Sequence, residues 1–299
     1  MLRRVFVFGI FFSGATAVAG PYAPAGAAGG IAVPYASSNI VEWASGATVV
    51  RGLRNVANPT EYGSLGSPKN YAFYGGSDGA SVAAGAASTA NTAPIGEPPS
   101  ASTSYAVALG QNGTATLTFN QPITNGPGYD FAVFGNGFST GSLEWVKPAL
   151  VAVSSDGVNF FQFPSVSLTQ TTTQVGSGSE LDPTNLYDIA GKDPAGWGTP
   201  YDLSELAGVS PLLNVNDITE VRLMSVTGDI DPAYATYDSQ GDIINSPWSA
   251  ASSSGSEGFD LAGVGVLNEA AVPEPVTLGI VLIAGSTLSG RHRRRNGVG

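Results

Sequence analysis

Carboxylates are the side chains of this sequence best placed to do chemistry. The chain has 23 acidic residues, one histidine and no cysteine. The histidine, His292, stands close to the C-terminus. Ser-His-Asp and Cys-His nucleophile systems and typical zinc sites are therefore excluded from the chain that precedes it.

The acids are densest in the stretch "GDIDPAYATYDSQGD", which ends at Asp242. An Asp-x-Asp step followed by a second acidic turn can supply several of the six to eight oxygen ligands that Ca²⁺ takes. We therefore expect one structural Ca²⁺ held by some of Asp229, Asp231, Asp238 and Asp260, with Asp130 as a further candidate. The ligand order of an EF-hand is missing, and a solvated acidic loop without metal is the alternative.

The carboxylates and aromatic rings of this sequence could act on polysaccharides in two ways, by hydrolysis or by binding. Paired carboxylates hydrolyse glycosides when they lie about 5–9 Å apart across the scissile bond. Aromatic rings bind sugars by stacking on their apolar faces. Six rings stand beside Gly, Pro or Asp rather than inside apolar runs: Trp145, Trp197, Tyr201, Tyr234, Tyr237 and Trp248. The alternative for these rings is that they close the rim of the core.

The sequence predicts that short strands position these acidic and aromatic side chains. Alternation in "SYAVALG" and "TATLTF" around Gln111-Asn112-Gly113 predicts a hairpin. Apolar runs predict buried strands at 129–135 and 149–155, and Asp156-Gly157 turns the chain into "VNFFQF". Further strands are predicted at 47–53, 220–226 and 259–267. One helix is expected at 201–207, where Asp202 and Glu205 have the spacing of a capping box.

This pattern predicts an all-β fold. Many short strands with Gly, Pro, Asn and Asp turns favour a single β-sandwich, jelly-roll-like and with long loops, over residues 40–270. Residues 20–39 are rich in Ala, Gly and Pro, which is typical of a flexible leader.

The N-terminal residues 1–19 read as a secretory signal peptide. Arg3 and Arg4 precede an apolar core from Val5 to Phe12, and Ala17-Val18-Ala19 is a small-residue cleavage site. We therefore expect export, with cleavage after Ala19. The formal net charge of −11 argues against nucleic acid or anionic lipid as a partner.

The C-terminal residues 272–299 combine a Pro-Glu-Pro step, an apolar segment at 276–290 and an arginine-rich tail at 291–295. As a helix the apolar segment would be about 23 Å long, shorter than the ~30 Å hydrocarbon core of a bilayer. A short C-terminal hydrophobic helix with transient membrane insertion is therefore expected, with the arginines on the cytoplasmic side.

In this order the three parts resemble the PEP-CTERM sorting signal of Gram-negative bacteria that make exopolysaccharide. The residues that carry the resemblance are Pro273, Glu274, Pro275, Arg291, Arg293, Arg294 and Arg295. The resemblance implies an exosortase, a membrane transpeptidase that processes the Pro-Glu-Pro region, as a partner during sorting. It also implies passage from the inner membrane to the cell surface or the extracellular matrix.

The body of the chain resembles a family of PEP-CTERM cell-surface proteins. Stretches such as "GTATLTFNQPITNGPGYDFAVFGNGF", "DPTNLYDIAGKD" and "GWGTPYDLSELAG" carry this resemblance, which spans about 110–268. Gly135 and Ala152 stand where that family usually has Glu. The piece "VAVSSDGVNF" also resembles a strand–turn–strand of galactose-binding-like jelly rolls.

Together these observations predict a non-enzymatic, exported protein of the cell surface that associates with exopolysaccharide. A carboxylate-based glycoside hydrolase and a purely structural matrix protein are the alternatives.

Overall fold

The computed structural model describes residues 20–53, 55–57, 106–137, 139–250 and 258–271. The described chain is built from β-strands and short 3₁₀ turns. In chain order the strands are β1 (Val33–Pro34), β2 (Glu42–Trp43), β3 (Gly46–Val50), β4 (Val107–Ala108), β5 (Thr114–Ile123), β6 (Phe131–Phe134), β7 (Ser139–Thr140), β8 (Leu143–Glu144), β9 (Ala149–Ser154), β10 (Phe161–Gln162), β11 (Val166–Ser167), β12 (Leu186–Tyr187), β13 (Trp197–Tyr201), β14 (Ile218–Ser225), β15 (Asp260–Leu261) and β16 (Gly263–Val266). The all-β prediction is confirmed.

Two five-stranded antiparallel sheets dominate the described residues. The first has the order β1-β13-β6-β16-β2 and the second the order β10-β9-β14-β5-β3. Strands β11 and β12, β15 and β4, and β7 and β8 form two-stranded ribbons. Strands β9 and β10 of the second sheet are consecutive in the chain, whereas all other neighbours within the two large sheets are not. Pairing between distant segments therefore sets most of the topology.

One hydrophobic cluster lies between the two sheets. Alternation places Val221 and Leu223 of β14 on the inner face of the second sheet, where they are fully buried. From the first sheet, Phe131 stacks on Tyr201 with ring centroids 5.2 Å apart. Phe163 packs against the same tyrosine at 4.9 Å. Side chains of both sheets therefore share one core.

Strands β6 and β9 are buried throughout, because both of their faces are covered. Phe131 and Val133 of β6 face the shared core, whereas Phe134 packs in a second cluster with Trp43. In β9, Leu150 belongs to a third cluster on the outer side of the second sheet. The apolar runs predicted as buried strands at 129–135 and 149–155 are thus confirmed, as is the strand at 220–226. The strand predicted at 47–53 ends at Val50, and the one predicted at 259–267 is divided into β15 and β16.

Of two predicted turns, the structure confirms one and contradicts the other. Asp156 accepts bonds from the N–H groups of Val158 and Asn159 at 2.9 and 2.7 Å, and β10 returns along β9 as predicted. At Gln111–Gly113 the chain turns with Asn112 at φ 60, but β4 and β5 do not pair. Strand β4 pairs with β15 and β5 with β3 and β14, so this turn connects two sheets and the predicted hairpin is wrong.

The predicted helix at 201–207 is a single 3₁₀ turn, Leu203–Leu206. Asp202 caps it as expected and accepts from the N–H of Ser204 at 2.9 Å. Glu205 does not complete a capping box, because its Oε1 accepts a bond from the Tyr187 hydroxyl at 2.7 Å. A second 3₁₀ turn, Pro183–Asn185, precedes β12.

Residues 20–39, expected to be a flexible leader, pack on the sheets in the structure. Tyr22 donates its N–H to the carbonyl of Thr184 at 3.1 Å. Strand β1 adds an edge to the first sheet beside β13. The Ala, Gly and Pro content that suggested a leader instead allows close turns, such as the one at Gly26 with φ 73.

Candidate functional site

A cleft of about 650 Å³ opens beside the edge of the first sheet. The segment 31–41 forms one wall, and Pro127, Tyr129, Leu267 and Asn268 form the other. Backbone bonds hold the first wall in place: Val41 donates to Val266, and Ile40 to Ser37. The lining combines exposed apolar groups such as Ile31 and Val41 with the hydroxyl and amide groups of Ser37, Ser38 and Asn39.

Tyr129 links this cleft to a group of acids. Burial, followed by the negative charges of Asp188, Asp202 and Glu205, raises the pKa of Tyr129. The phenol therefore lies near three carboxylates as well as in the cleft wall. Tyr129, Tyr187, Asp188, Asp202 and Glu205 are here called the acid–tyrosine cluster.

Asp188 and Glu205 are the centre of the acid–tyrosine cluster. Asp188 directly follows β12, and Glu205 lies on the 3₁₀ turn Leu203–Leu206. Burial, followed by the charge of Glu205, raises the pKa of Asp188 to about 8. The carboxyl group of Asp188 therefore keeps its proton to a higher pH than an ordinary aspartate does.

The backbone at Asp188 is unusual. Its φ is 46°, in the left-handed region that few residues other than glycine adopt. Aspartate and asparagine tolerate this region best among residues with a side chain. The conformation lets the carboxyl group turn inward, where Asp188 is only 5% exposed and its Oδ2 has no hydrogen-bond partner in the described chain.

A second group of buried charges lies nearby. Lys192 is 3% exposed and donates to the carbonyl of Leu186 at 2.8 Å, and burial lowers its pKa. Asp193 accepts from the Thr199 hydroxyl at 2.8 Å. Burial, followed by the charge of Asp193, raises the pKa of Glu144 to about 8. These groups influence one another through charge, although Lys192 makes no ion pair within the described residues.

The described chain also holds a buried ion pair. The ammonium of Lys147 lies 2.7 Å from Oδ2 of Asp260, and both side chains are under a tenth exposed. The same ammonium stands 4.4 Å from the ring centroid of Trp248, in cation–π geometry. This arrangement gives Asp260 a cationic partner within the protein.

The acids predicted to hold Ca²⁺ are used in other ways. Asp229 accepts from the N–H groups of Asp231 and Ala250, and Asp238 from those of Ser167, Gln240 and Asp242. Within the described ranges no three His, Cys, Asp or Glu side chains lie close enough to hold a metal together. The structure thus does not bring these aspartates to a common point, and calcium at these residues stays a prediction.

Asp130 and Asp231 complete that set. Asp130 is fully buried and accepts from the N–H groups of Gly126 and Leu203, both at 2.7 Å, and from the amide of Asn268 at 2.9 Å. It thereby joins the cleft wall to the acid–tyrosine cluster. Asp231 is exposed and caps the turn at Ala233.

The six predicted ligand-binding rings divide by burial. Tyr201 and Trp248 are 0% and 3% exposed. These two rings therefore belong to the core, as in the alternative to sugar binding. Trp145 packs edge-on against Trp248, and Trp197 lies half-buried in β13. Tyr234 and Tyr237 are exposed, at 38% and 43%. Of the six rings, Tyr234 and Tyr237 are therefore the two that are exposed rather than buried or half-buried.

Tyr129, Asp188 and Glu205 were not among the site residues predicted from the sequence. Asp188 and Glu205 stand in the acidic pieces "LYD" and "DLSEL", and Tyr129 stands in "GPGYDF". The predicted signal peptide, the predicted sorting residues within 273–275 and 291–295 and the predicted apolar segment 276–290 lie outside the described residues. Across the described ranges, no helix has the length and apolar character needed to span a membrane.

Comparison with known proteins adds no relative. No protein-family model matches the chain, and neither does any curated protein.

Proposed function

We propose that this chain is an exported, non-enzymatic protein that associates with exopolysaccharide at the cell surface or in the extracellular matrix. On this proposal an exosortase-type transpeptidase sorts it, and the two sheets are halves of one jelly-roll-like sandwich. The shared core between the sheets supports the single sandwich. The signal-like N-terminus and the Pro-Glu-Pro, apolar and arginine order at the C-terminus support export and sorting.

The observation that carries the binding proposal is the open cleft beside Tyr129. A tyrosine ring and small apolar side chains suit the C–H faces of a sugar, and the hydroxyl and amide groups of Ser37, Ser38 and Asn39 suit its hydroxyls. The neighbouring carboxylates repel anionic ligands. We therefore assign the cleft to neutral polysaccharide.

The glycoside hydrolase is less well supported than binding. Hydrolysis requires two carboxyl groups about 5–9 Å apart with the sugar between them. No Asp or Glu side chain of the described residues is among those that line the cleft. The cleft lining therefore offers no carboxyl pair for this reaction.

Replacing Tyr129 with Ala tests the cleft. We expect the variant to bind exopolysaccharide from the producing strain about fivefold more weakly in affinity electrophoresis of the whole protein, because a lost ring–sugar contact is worth ~1 kcal/mol. Tyr129→Phe should retain most of the binding, since it keeps the ring.

Val158→Ala is the control, because it removes an exposed apolar side chain away from the cleft lining. Equal binding by Tyr129→Ala and the unchanged protein would rule out the cleft. A protein that retains no polysaccharide of any kind would leave the purely structural matrix role as the better account.

A further inference from the structure

We infer that the α-amino group released by cleavage after Ala19 binds to a site on the 3₁₀ turn Pro183–Asn185. The occupant of this site is the new first residue, Gly20. The inference rests on the export part of the proposed function, because only cleavage after Ala19 turns the amide nitrogen of Gly20 into an ammonium group. It does not depend on polysaccharide binding.

The first argument is the hydrogen bond that Gly20 makes. Its nitrogen donates to Oγ1 of Thr184 at 2.5 Å. The Thr184 hydroxyl in turn donates to Oδ1 of Asp182 at 2.6 Å. A hydroxyl that donates to a carboxylate becomes a better acceptor, because successive hydrogen bonds polarise one another. The nitrogen of Gly20 therefore stands one hydroxyl group away from a negative charge.

The second argument is the set of oxygens around Gly20. The carbonyl oxygen of Thr184 and Oδ1 of Asn185 both lie against this residue. A peptide nitrogen has one N–H donor, whereas a protonated α-amino group has three. We assign the two additional donors to these two oxygens. Hydrogen bonds from a charged donor are stronger than those from a neutral one, so cleavage strengthens the attachment.

The third argument is that the site accepts glycine alone. A Cβ atom at Gly20 would collide with the carbonyl oxygen of Thr184 and would stand 2.5 Å from Oδ1 of Asn185. Backbone can approach another group this closely only at glycine. In the sequence, Gly20 directly follows the predicted cleavage site Ala17-Val18-Ala19. The residue that cleavage would expose is thus the residue that fits the site.

The fourth argument is that Tyr22 holds the chain beside the site. Its N–H donates to the carbonyl of Thr184 at 3.1 Å, and its ring packs on that of Tyr187 at 5.1 Å. An amino group two residues from a fixed anchor has a high effective concentration at its acceptors. Binding of the new N-terminus therefore costs little entropy, and it attaches the segment 20–39 to the sheets at its first residue.

Chemical labelling of the α-amino group provides the test. The protein is recovered from the surface or medium fraction of the producing cell, and its intact mass is measured first. It is then treated at pH 7 with an amine-reactive ester, and the tryptic peptide 20–51 is followed by mass spectrometry. Because this peptide contains no lysine, the α-amino group is its only amine.

We expect labelling to be at least tenfold slower in the folded protein than in guanidinium chloride. A free α-amino group is partly unprotonated at pH 7 and reacts, whereas the bound group is held as a hydrogen-bonded ammonium. Gly20→Ala keeps a small residue after the cleavage site but adds the Cβ atom, and Thr184→Val removes the hydroxyl while keeping the shape of the side chain. Both variants should lose most of the protection.

Thr171→Val, at an exposed threonine, is the matched control and should be protected as the unchanged protein is. Near-ultraviolet circular dichroism verifies that each variant is folded. A recovered chain that does not begin at Gly20 would contradict the predicted cleavage and, with it, the inference. A chain that begins at Gly20 but labels equally fast folded and unfolded would overturn the inference and leave export intact, as would protection that persists in both variants.

Discussion

The Asp260→Asn variant is expected to lose about 3–5 kcal/mol of unfolding free energy. Its neutral amide leaves the Lys147 ammonium without the carboxylate that now lies 2.7 Å away, in a site where the lysine side chain is 8% exposed. Removing one partner of a buried ion pair is destabilising on this scale because the remaining charge stays buried without the opposite charge that compensated it. Urea unfolding at pH 7 measures the loss.

The double variant Lys147→Met with Asp260→Leu separates charge from packing. Because both charges disappear together, the double variant should lose less unfolding free energy than the single variants Lys147→Met and Asp260→Leu combined. Asp231→Asn is the matched control at an exposed aspartate and should change stability by under ~0.5 kcal/mol. An Asp260→Asn variant as stable as that control would contradict a structural role for the ion pair.

The Glu144→Gln variant is expected to become more stable than the unchanged protein as the pH rises. Glu144 is 5% exposed, its Oε2 lacks a partner in the described chain, and burial and the charge of Asp193 raise its pKa to about 8. In the unfolded chain the group ionises near its ordinary pKa of 4.5. Glutamine keeps the shape of the protonated acid and cannot ionise.

The sign of the pH dependence follows from these two pKa values. Below about pH 4.5 the acid is protonated in both states, and the difference between the proteins is small. Between about pH 4.5 and 8 only the unfolded state ionises, so the unchanged protein loses stability with rising pH. Above pH 8 the gain in unfolding free energy of the variant over the unchanged protein reaches its limit, at most ~5 kcal/mol.

Thermal or urea unfolding from pH 4 to 9 measures this difference. Glu269→Gln, at an exposed glutamate, should follow the unchanged protein at every pH. Parallel curves for Glu144→Gln and the unchanged protein would show that Glu144 ionises normally in the fold.

Local patterns predicted the strands because their signals are local. The runs that became β6, β9 and β14 are buried on one or both faces, and burial requires apolar side chains in consecutive or alternating positions. The error at Gln111–Gly113 arose from pairing between distant residues. Val107 pairs with Leu261 rather than with the strand that follows it, and no turn sequence encodes that partner.

The candidate site was harder to predict for a related reason. Asp188 and Glu205 act on one another only because a strand end and a 3₁₀ turn pack together. Acid density directed attention to Asp229 and Asp238 instead. Those carboxylates accept hydrogen bonds from backbone N–H groups of their own loop and of chain segments packed against it. In the sequence alone, acids that bond backbone N–H groups cannot be distinguished from acids that bind a metal.

Export of the protein is the central prediction, and mass spectrometry of the intact protein in fractions of the producing cell tests it directly. We expect the surface or medium fraction to contain a chain that begins at Gly20 and has lost the residues beyond the Pro273–Pro275 region. The full 299-residue chain, with both ends intact and confined to the cytosol, would contradict the account.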